Sequence, residues 1–334
     1  MQQEQRLLNE QRFQILKVLG KGAFGRVYLV FKDQYGIIAA KVISSENFDQ
    51  KEWNASYQLT KGDQNPFVLK YISANLYGDN NMILMEYSNL KNLDNLIETK
   101  KDVPVPIIRV IMKQLLVGLR LMHEKGLIHR DIKGQNILLH SPPGSGRVIL
   151  KIADFGLVKH QIEAFKSTKM TVVGTYPYMA PEFALSDTKQ VKADAKVDIW
   201  SSGIIFFQLV THDFPFNADA RQSIMMFLFR GTLDRPTQIK DDVMWDLITK
   251  MLSFESKDRF TAAEALNHEF FTGVQAIRDI TPEIRSLAQS ALQAQQRGDS
   301  SITPYDTNES FVFPVEEAQK IYQVDPEAEN NQIF

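Results

Sequence analysis

Cysteine is absent from the 334 residues of the sequence. The chain therefore has no disulfide, no thiolate metal site and no cysteine nucleophile, and a reducing compartment is allowed. Long apolar runs are also missing, because the longest, IIFFQLV at 204–210, is far shorter than the ~18 residues of a transmembrane helix. The opening residues MQQEQRLLNEQR lack the apolar core of a signal peptide. We therefore expect a cytoplasmic protein, with a nuclear location as the alternative, and no membrane insertion.

An excess of charge is missing as well. Lys and Arg number 38 and Asp and Glu number 40, which gives a formal net charge of −2. The chain as a whole therefore has no attraction to nucleic acid or to an anionic membrane. A hydrophobic fraction of 44% is typical of a globular protein, and the length favours two lobes or two domains over one small core. The oligomeric state is left open.

Two kinds of hydrophobic periodicity divide the chain. Between residues 13 and 87, the runs FQILKVLG, RVYLVFKD, GIIAAKVI and MILMEY predict an antiparallel meander of strands. Apolar residues then recur three, four and seven apart, as at 108–122, which predicts helices. The run DIWSSGIIFFQLV at 198–210 predicts a helix that is buried on all sides. A β-rich lobe followed by a helical lobe is an α+β arrangement, with a ligand site expected between the lobes.

The last part of the chain, residues 272–334, differs in composition, with four basic and ten acidic residues. A capping residue, Thr281, and the proline after it predict a helix over about 281–297. The segment GDSSITPYDTNE has the composition of mobile turns, whereas SFVFP at 310–314 is an isolated apolar cluster that needs a docking surface on this chain or on another protein. We therefore treat 272–334 as an acidic C-terminal tail and 1–12 as an N-terminal arm.

The segment GKGAFGRVYLV at 20–30 has glycines spaced as G-x-G-x-x-G. This pattern occurs in dinucleotide-binding Rossmann folds and in loops that cover the phosphates of ATP, and alone it does not decide between them. A Rossmann helix would have to begin at the glycines, but RVYLVF alternates as a strand does, which disfavours a dinucleotide. Lys41 follows on the next strand, where a single lysine would otherwise be a solvent-exposed charge.

Two further motifs lie downstream, HRDIKGQN at 129–136 and ADFGL at 153–157. Together with the glycine-rich segment and Lys41, they stand in the order and spacing of the motifs of the eukaryotic protein kinases. The chain resembles this family, in its serine/threonine type, over residues 13–271. HRDIKGQNILL and DFGL are most similar to the Ste20-like, MAP-kinase-cascade and NEK-like groups.

The resemblance implies both a fold and a reaction. The fold is the two-lobed protein-kinase fold, with an antiparallel β-sheet and the αC helix in an N-lobe (13–86), a hinge (86–89) and a larger, mainly helical C-lobe (90–271). The reaction is transfer of the γ-phosphoryl group of ATP to serine or threonine hydroxyls of protein substrates, in intracellular signalling. The implied cofactors are ATP and Mg²⁺, with Mn²⁺ as an alternative, and an upstream activating kinase is an implied partner.

The resemblance also implies a role for each motif residue. Asp131 would accept the proton of the substrate hydroxyl, and Lys133, typical of serine/threonine kinases, would lie near the γ-phosphate. Asn136 and Asp154 offer hard oxygen ligands suited to Mg²⁺, and Lys41 would hold the α- and β-phosphates. The ATP site would consist of Leu19, Gly20, Lys21, Gly22, Ala23, Phe24, Gly25, Arg26, Val27, Ala39, Lys41, Met85, Glu86, Tyr87 and Ser88.

Regulatory positions follow from the same resemblance. Glu182 of APE would form a partly buried ion pair with Arg259 of SKDRFT. Thr171 lies three residues before Gly174, where related kinases carry an activating phosphothreonine. A phosphate there would pair with Arg130 and nearby basic groups such as Lys159, and would order the activation segment, residues 157–180.

The helix glutamate that pairs with the strand lysine in this family has no obvious counterpart. Counting back from NPFVLKY places Ala55 or Ser56 at its position. Glu52 is the nearest acidic residue, one helical turn earlier and about on the same face. We predict that Glu52 pairs with Lys41, with an exposed surface glutamate as the alternative.

Two rival functions stay open at this point. A pseudokinase would keep the fold and signal by binding; the base and metal residues argue against it, and only the uncertain helix glutamate supports it. A tyrosine or dual-specificity kinase is disfavoured by Lys133.

Overall fold

The computed structural model describes residues 2–22, 25–48, 50–60, 65–161 and 167–328, without the side chains of residues 21, 22, 51, 52 and 56. Within these ranges the strands are β1 (Gln14–Gly22), β2 (Gly25–Lys32), β3 (Gly36–Ser44), β4 (Tyr71–Tyr77), β5 (Asn80–Met85), β6 (Leu127–Ile128), β7 (Ile137–His140), β8 (Arg147–Ile152), β9 (Lys159–His160), β10 (Thr168–Thr171), β11 (Gln190–Ala193) and β12 (Phe313–Pro314). The α-helices are α1 (Gln2–Glu10), α2 (Gln50–Thr60), α3 (Leu93–Glu98), α4 (Val105–Glu124), α5 (Pro181–Ala184), α6 (Lys196–Thr211), α7 (Arg221–Arg230), α8 (Asp242–Met251), α9 (Ala262–Leu266), α10 (Glu269–Thr272), α11 (Val274–Arg278), α12 (Pro282–Gln296) and α13 (Val315–Tyr322).

The N-lobe is a five-stranded antiparallel sheet in the order β1-β2-β3-β5-β4. Side chains alternate between its two faces, and α1 covers the outer one. Leu8 of α1 is fully buried in one apolar cluster with Tyr28 and Val42, so the N-terminal arm is a helix that completes this lobe. The other face, with Ala39 and Met85, belongs to the main core shared with the C-lobe.

The C-lobe is mainly helical, and α6 lies at its centre. Nearly every residue of α6 is buried, including Trp200 and Phe206, as its uniformly apolar sequence predicts. The helix ends at His212, which adopts the left-handed conformation with φ of 62°. Together the two lobes confirm the predicted α+β arrangement. No helix in the described ranges is both long enough and apolar enough to cross a membrane.

The acidic tail folds back onto the C-lobe. Helix α12 begins after Thr281, whose side chain accepts a hydrogen bond from the Ile284 amide. Strand β12 then adds to the edge of β8, with Phe313 opposite Val148. Phe313 is only 1% exposed and joins the main core. The apolar cluster SFVFP therefore docks on this chain itself.

The segment between α12 and β12 is packed, although its composition predicts mobile turns. The Tyr305 ring meets the Phe67 ring edge-on with centroids 5.0 Å apart, and Phe311 stacks on the same ring at 6.2 Å. Asp306 is buried near Arg147. Composition misleads here because the apolar partner of the segment lies in a distant part of the chain.

The activation segment is paired with a strand that follows it. In the antiparallel ladder of β10 and β11, Lys169 lies opposite Lys192 and Thr171 lies opposite Gln190. Met170 is fully buried, whereas Lys169 and Thr171 are exposed. Backbone hydrogen bonds and one buried side chain thus fix residues 168–171 on the C-lobe.

Candidate active site

The loop of residues 129–136, here called the catalytic loop, places Asp131 at the centre of a hydrogen-bond network. One carboxylate oxygen accepts from Lys133 Nζ at 2.8 Å and from Asn136 Nδ2 at 3.0 Å. The other accepts from the Thr175 amide at 3.0 Å and from its hydroxyl at 2.7 Å. Lys133 also donates to the Thr175 hydroxyl at 2.8 Å. Sequence reasoning missed Thr175, although the Gly-Thr pair before APE is a usable signal.

This network favours the ionised form of Asp131. Burial alone would raise the pKa of the carboxyl group, but the hydrogen bonds from Lys133 and Thr175 outweigh burial and hold the pKa below its ordinary value. Asp131 is therefore a carboxylate at neutral pH. Such a group can accept a proton from a hydroxyl within hydrogen-bond reach.

Helix α6 supports the catalytic loop through Asp198. One carboxylate oxygen accepts from the His129 amide at 2.9 Å and lies 2.8 Å from His123 Nε2, and the other accepts from the Arg130 amide at 2.8 Å. Asp198 is fully buried; burial would raise its pKa, but the bond from His123 leads the interactions that lower it below the ordinary value. Asp198 thus fixes the two residues before Asp131, where Arg130 has a left-handed φ of 67°.

Asn136 and Asp154 are the oxygen donors predicted for a divalent cation. The Asn136 side-chain nitrogen donates to the carbonyl and carboxylate of Asp131 at 2.8 and 3.0 Å, which leaves the amide oxygen as the group available to a ligand. The Ala153 amide donates to the Asn136 carbonyl at 2.8 Å, so the residue before Asp154 is held beside the catalytic loop. Amide and carboxylate oxygens are ligands that Mg²⁺ takes, usually with waters and phosphates, and this pair fits that ion.

The glycine-rich segment is a hairpin between β1 and β2. Gly22 pairs with Gly25, and Ala23 and Phe24 at the tip lie outside the described residues. A Cβ atom on Gly25 would clash with the carbonyl oxygen of Val42, so the neighbouring strand excludes any larger residue there. The side chain of Lys21 also lies outside the described residues.

The predicted adenine and phosphate contacts share one face of the N-lobe sheet. Ala39 and Lys41 are two residues apart on β3 and therefore lie on the same face of the sheet. Ala39 pairs with Met85 on β5, and Lys41 pairs with Val27 on β2. Ala39 and Met85 are buried, and Leu19 at the rim is 38% exposed. A small apolar surface suits the purine ring of ATP, and a lysine beside it suits the negatively charged phosphates that follow.

The hinge begins at Glu86, whose side chain interacts with Lys70 and Lys151 and not with the predicted nucleotide site. Its amide donates to the Lys70 carbonyl at 2.9 Å, and its carboxylate accepts from the Lys70 amide at 2.7 Å. Lys151 Nζ lies 3.1 Å from the same carboxylate oxygen. The adenine contacts predicted for Glu86, Tyr87 and Ser88 are backbone contacts, so they do not depend on this side chain, and they stay a prediction.

Arg26, predicted beside the nucleotide, is bound to the N-terminal helix. Its guanidinium donates to Glu4 at 2.7 Å, and the Tyr28 hydroxyl donates to the same carboxylate oxygen at 2.6 Å. Burial and the bond to Glu4 raise the pKa of Tyr28 to about 12. Helix α1 is thus tied directly to the strand that follows the glycine-rich hairpin.

An aromatic column connects the two lobes behind the catalytic loop. Phe155 of ADFGL is 1% exposed, and its ring centroid lies 5.4 Å from that of His129 and 6.1 Å from that of Tyr71 on β4. Sequence reasoning did not select Tyr71, because nothing local distinguishes it from other strand aromatics.

Helix α2 packs on the N-lobe through Ala55 and Leu59, which are both buried. Ala55, one of the two positions at which the family glutamate is expected, therefore faces the core with a methyl group. The side chain of Glu52, predicted to pair with Lys41, lies outside the described residues.

The ion pair predicted between Glu182 and Arg259 has bidentate geometry. The guanidinium nitrogens donate to the two carboxylate oxygens at 2.8 and 2.9 Å, and the Arg259 side chain is fully buried. Nearby, Arg130 donates to the carbonyls of Leu157 and Thr171 at 2.6 and 3.2 Å. Arg130 thus holds the activation segment through its backbone, with no phosphate required for these contacts.

Comparison with known proteins agrees with this geometry. A family model described as "Protein kinase domain" matches residues 13–271. The chain is 31% identical to the serine/threonine-protein kinase pakH of Dictyostelium discoideum over 88% of its own length and 55% of that protein. It is 34% identical to calcium-dependent protein kinase 4 of Plasmodium berghei, over 87% of the chain and 55% of the relative. Mitogen-activated protein kinase kinase kinase 3 of Arabidopsis thaliana is 31% identical, over 77% and 40%. The chain thus spans about half the length of the curated relatives it matches.

Proposed function

Because the chain belongs to the protein kinase family, we propose that it is a serine/threonine protein kinase that uses ATP and Mg²⁺. The observation that carries the proposal is the joint engagement of the Asp131 carboxylate by Lys133, Asn136 and Thr175. A buried carboxylate kept ionised beside a lysine can orient a hydroxyl and take its proton.

The roles of the residues follow from their contacts. Asp131 would receive the proton of the attacking hydroxyl, and Lys133, 2.8 Å away, would stabilise the negative charge that develops on the transferred group. Asn136 and Asp154 would hold the cation, which would neutralise the charge of the phosphates. Lys41 would fix the α- and β-phosphates from β3, and Asp198 would keep the loop backbone in place.

The bond between Lys133 and Thr175 supports serine and threonine as acceptors. Thr175 precedes α5 and links the activation segment to the catalytic loop. A serine or threonine acceptor has a short side chain and must approach Asp131 closely. The bonds of Thr175 hold the activation segment close to Asp131. We therefore propose protein serine or threonine hydroxyls as the substrates, as the names of the relatives also suggest.

Regulation by an upstream kinase is a further part of the proposal. Thr171 lies exposed in β10, two residues from Lys169 and thus on the same face of the ladder, with Lys192 opposite Lys169. Like charges directly opposite each other in a sheet are destabilising. A phosphate on Thr171 would neutralise this lysine pair and stabilise the ladder, which is our proposed route to activation in signalling.

The test is transfer of radiolabel from ATP by the purified chain with Mg²⁺ to a degenerate peptide library in which serine, threonine and tyrosine are all offered as acceptors. Replacing Asp131→Asn is expected to lower turnover by at least ~10²-fold, because it removes the base. The variant Asp102→Asn, at an exposed position outside the catalytic loop, is the control for effects of removing one carboxylate. Nucleotide binding without transfer by the unaltered chain would favour a pseudokinase, and label on phosphotyrosine would contradict the acceptor assignment.

A further inference from the structure

A cavity of about 480 Å³ lies behind the hinge and includes none of the proposed catalytic residues. Its walls come from the segment before β4, the hinge residue Glu86, the β7–β8 hairpin, α12 and the turns that follow α12. The tail thus closes a space between parts of both lobes. A volume of this size is typical of pockets that hold a small organic molecule.

Arg147 in the wall of this cavity is a buried cation with one unpartnered donor. The residue is 5% exposed, and its guanidinium lies 3.4 Å from the Asp306 carboxylate. Within the part of the chain that the structure describes, its Nε has no hydrogen-bond partner. An arginine has five N–H donors in a planar fork that matches an oxyanion, so the geometry calls for an acceptor in front of it.

The carboxylates around the cavity already have donors. The second oxygen of Asp306 accepts from the Thr303 amide and hydroxyl at 2.9 and 2.6 Å. Glu86 accepts from the Lys70 amide, and Lys151 Nζ lies 3.1 Å away. Both carboxylates are therefore already engaged, whereas the Arg147 Nε donor has no acceptor among the described residues.

The remaining wall combines one more polar atom with apolar surface. Nδ1 of His140 is buried and has no hydrogen-bond partner among the described residues, and burial lowers the pKa of this imidazole to about 4. The neutral ring can bond a ligand without adding charge. Val68, Ile149 and Ala291 contribute apolar side chains to the same wall.

We propose that this cavity binds a small organic oxyanion, carrying a phosphate or carboxylate group that accepts hydrogen bonds from Arg147, with its apolar body against Val68, Ile149 and Ala291. A phosphate attached to Ser301, which also lines the cavity, is a second source of the same chemistry. The Ser301 hydroxyl donates to Asp299 at 2.6 Å, and a phosphate there would face that carboxylate. The contacts therefore favour a free molecule.

The experiment uses phenyl phosphate as the probe, because it joins an oxyanion to an apolar ring. The full chain is first saturated with Mg²⁺ and a non-hydrolysable ATP analogue, so that the nucleotide site is filled, and binding is followed by titration calorimetry. We expect saturable binding at one site that is tighter than the binding of inorganic phosphate or phenol. Absence of saturable binding would overturn the proposal.

Variants locate the binding. Arg147→Gln is expected to weaken the affinity for phenyl phosphate at least about tenfold, because hydrogen bonds to charged groups are the strong ones. Ala294→Leu, which fills the cavity from α12, is expected to weaken it equally without removing a charge, and the exposed neighbour Gln293→Leu is its matched control. Equal affinity of all three variants would contradict the site. Mass spectrometry that finds phosphate on Ser301, together with probe binding only to Ser301→Ala, would assign the anion to the tail.

Discussion

Replacing Phe313→Ala in the tail is expected to destabilise both lobes of the protein kinase fold. Phe313 is 1% exposed, pairs with Val148 across β12 and β8, and belongs to the same core as α6. Truncation of a buried phenylalanine costs about 3–5 kcal/mol, from lost apolar burial and the cavity that remains. The same substitution at Phe229, which is 73% exposed on α7, should stay within about 0.5 kcal/mol.

Urea unfolding followed by tryptophan fluorescence measures this difference directly. The three tryptophans, Trp53, Trp200 and Trp245, all lie outside the tail, so the signal reports on the two lobes alone. If the tail were an independent appendage, Phe313→Ala would release it and leave the fluorescence transition unchanged. Equal transition midpoints for the Phe313 and Phe229 variants would therefore refute the reasoning.

Three further outcomes are expected. Thr171→Ala should strongly lower the activity of enzyme that an upstream kinase has treated, and equal activity before and after phosphatase treatment of the unaltered chain would contradict the activating role of Thr171. Glu182→Gln should cost up to about 3–5 kcal/mol of unfolding free energy, because it leaves the buried Arg259 without its charge partner; Arg259→Leu with Glu182→Gln together should cost less than the sum of the two. The folded-state pKa of Asp198 is lowered, so its stabilisation is present above the unfolded value of about 3.9 and is lost as pH falls below it. Asp198→Asn should accordingly flatten the acid side of the curve of unfolding free energy against pH, and an unchanged slope in urea titrations would count against this.

Local motifs allowed much of the site to be predicted from sequence. The residues of HRDIKGQN are contiguous, so their spacing alone brings Asp131, Lys133 and Asn136 together. The alternation of RVYLVF identified β2, and the uniformly apolar run around Trp200 identified α6. In each case the determining interactions lie within one element or one loop.

The features that escaped prediction depend on distant contacts. The turns around Tyr305 are polar in composition, but they pack on the protein because the Tyr305 ring contacts Phe67 in the segment before β4. The pairing of β10 with β11 joins strands of four residues each, with Lys169 facing Lys192, and no local preference signals it. The position of Tyr71 depends on its contact with Phe155, whose ring also meets His129 in the catalytic loop.

The pairing of β12 with β8 has a consequence for aggregation. Strand β8 lies between β7 and β12 in its small sheet, so the tail occupies what would otherwise be an open strand edge. Unpaired edges present backbone donors and acceptors to other chains and promote intermolecular association. A fragment cut at residue 271, where the match to the family ends, would expose this edge together with the apolar surface that Phe313 covers. Such a fragment should self-associate more readily than the full chain, in which the tail covers both the edge and the apolar surface.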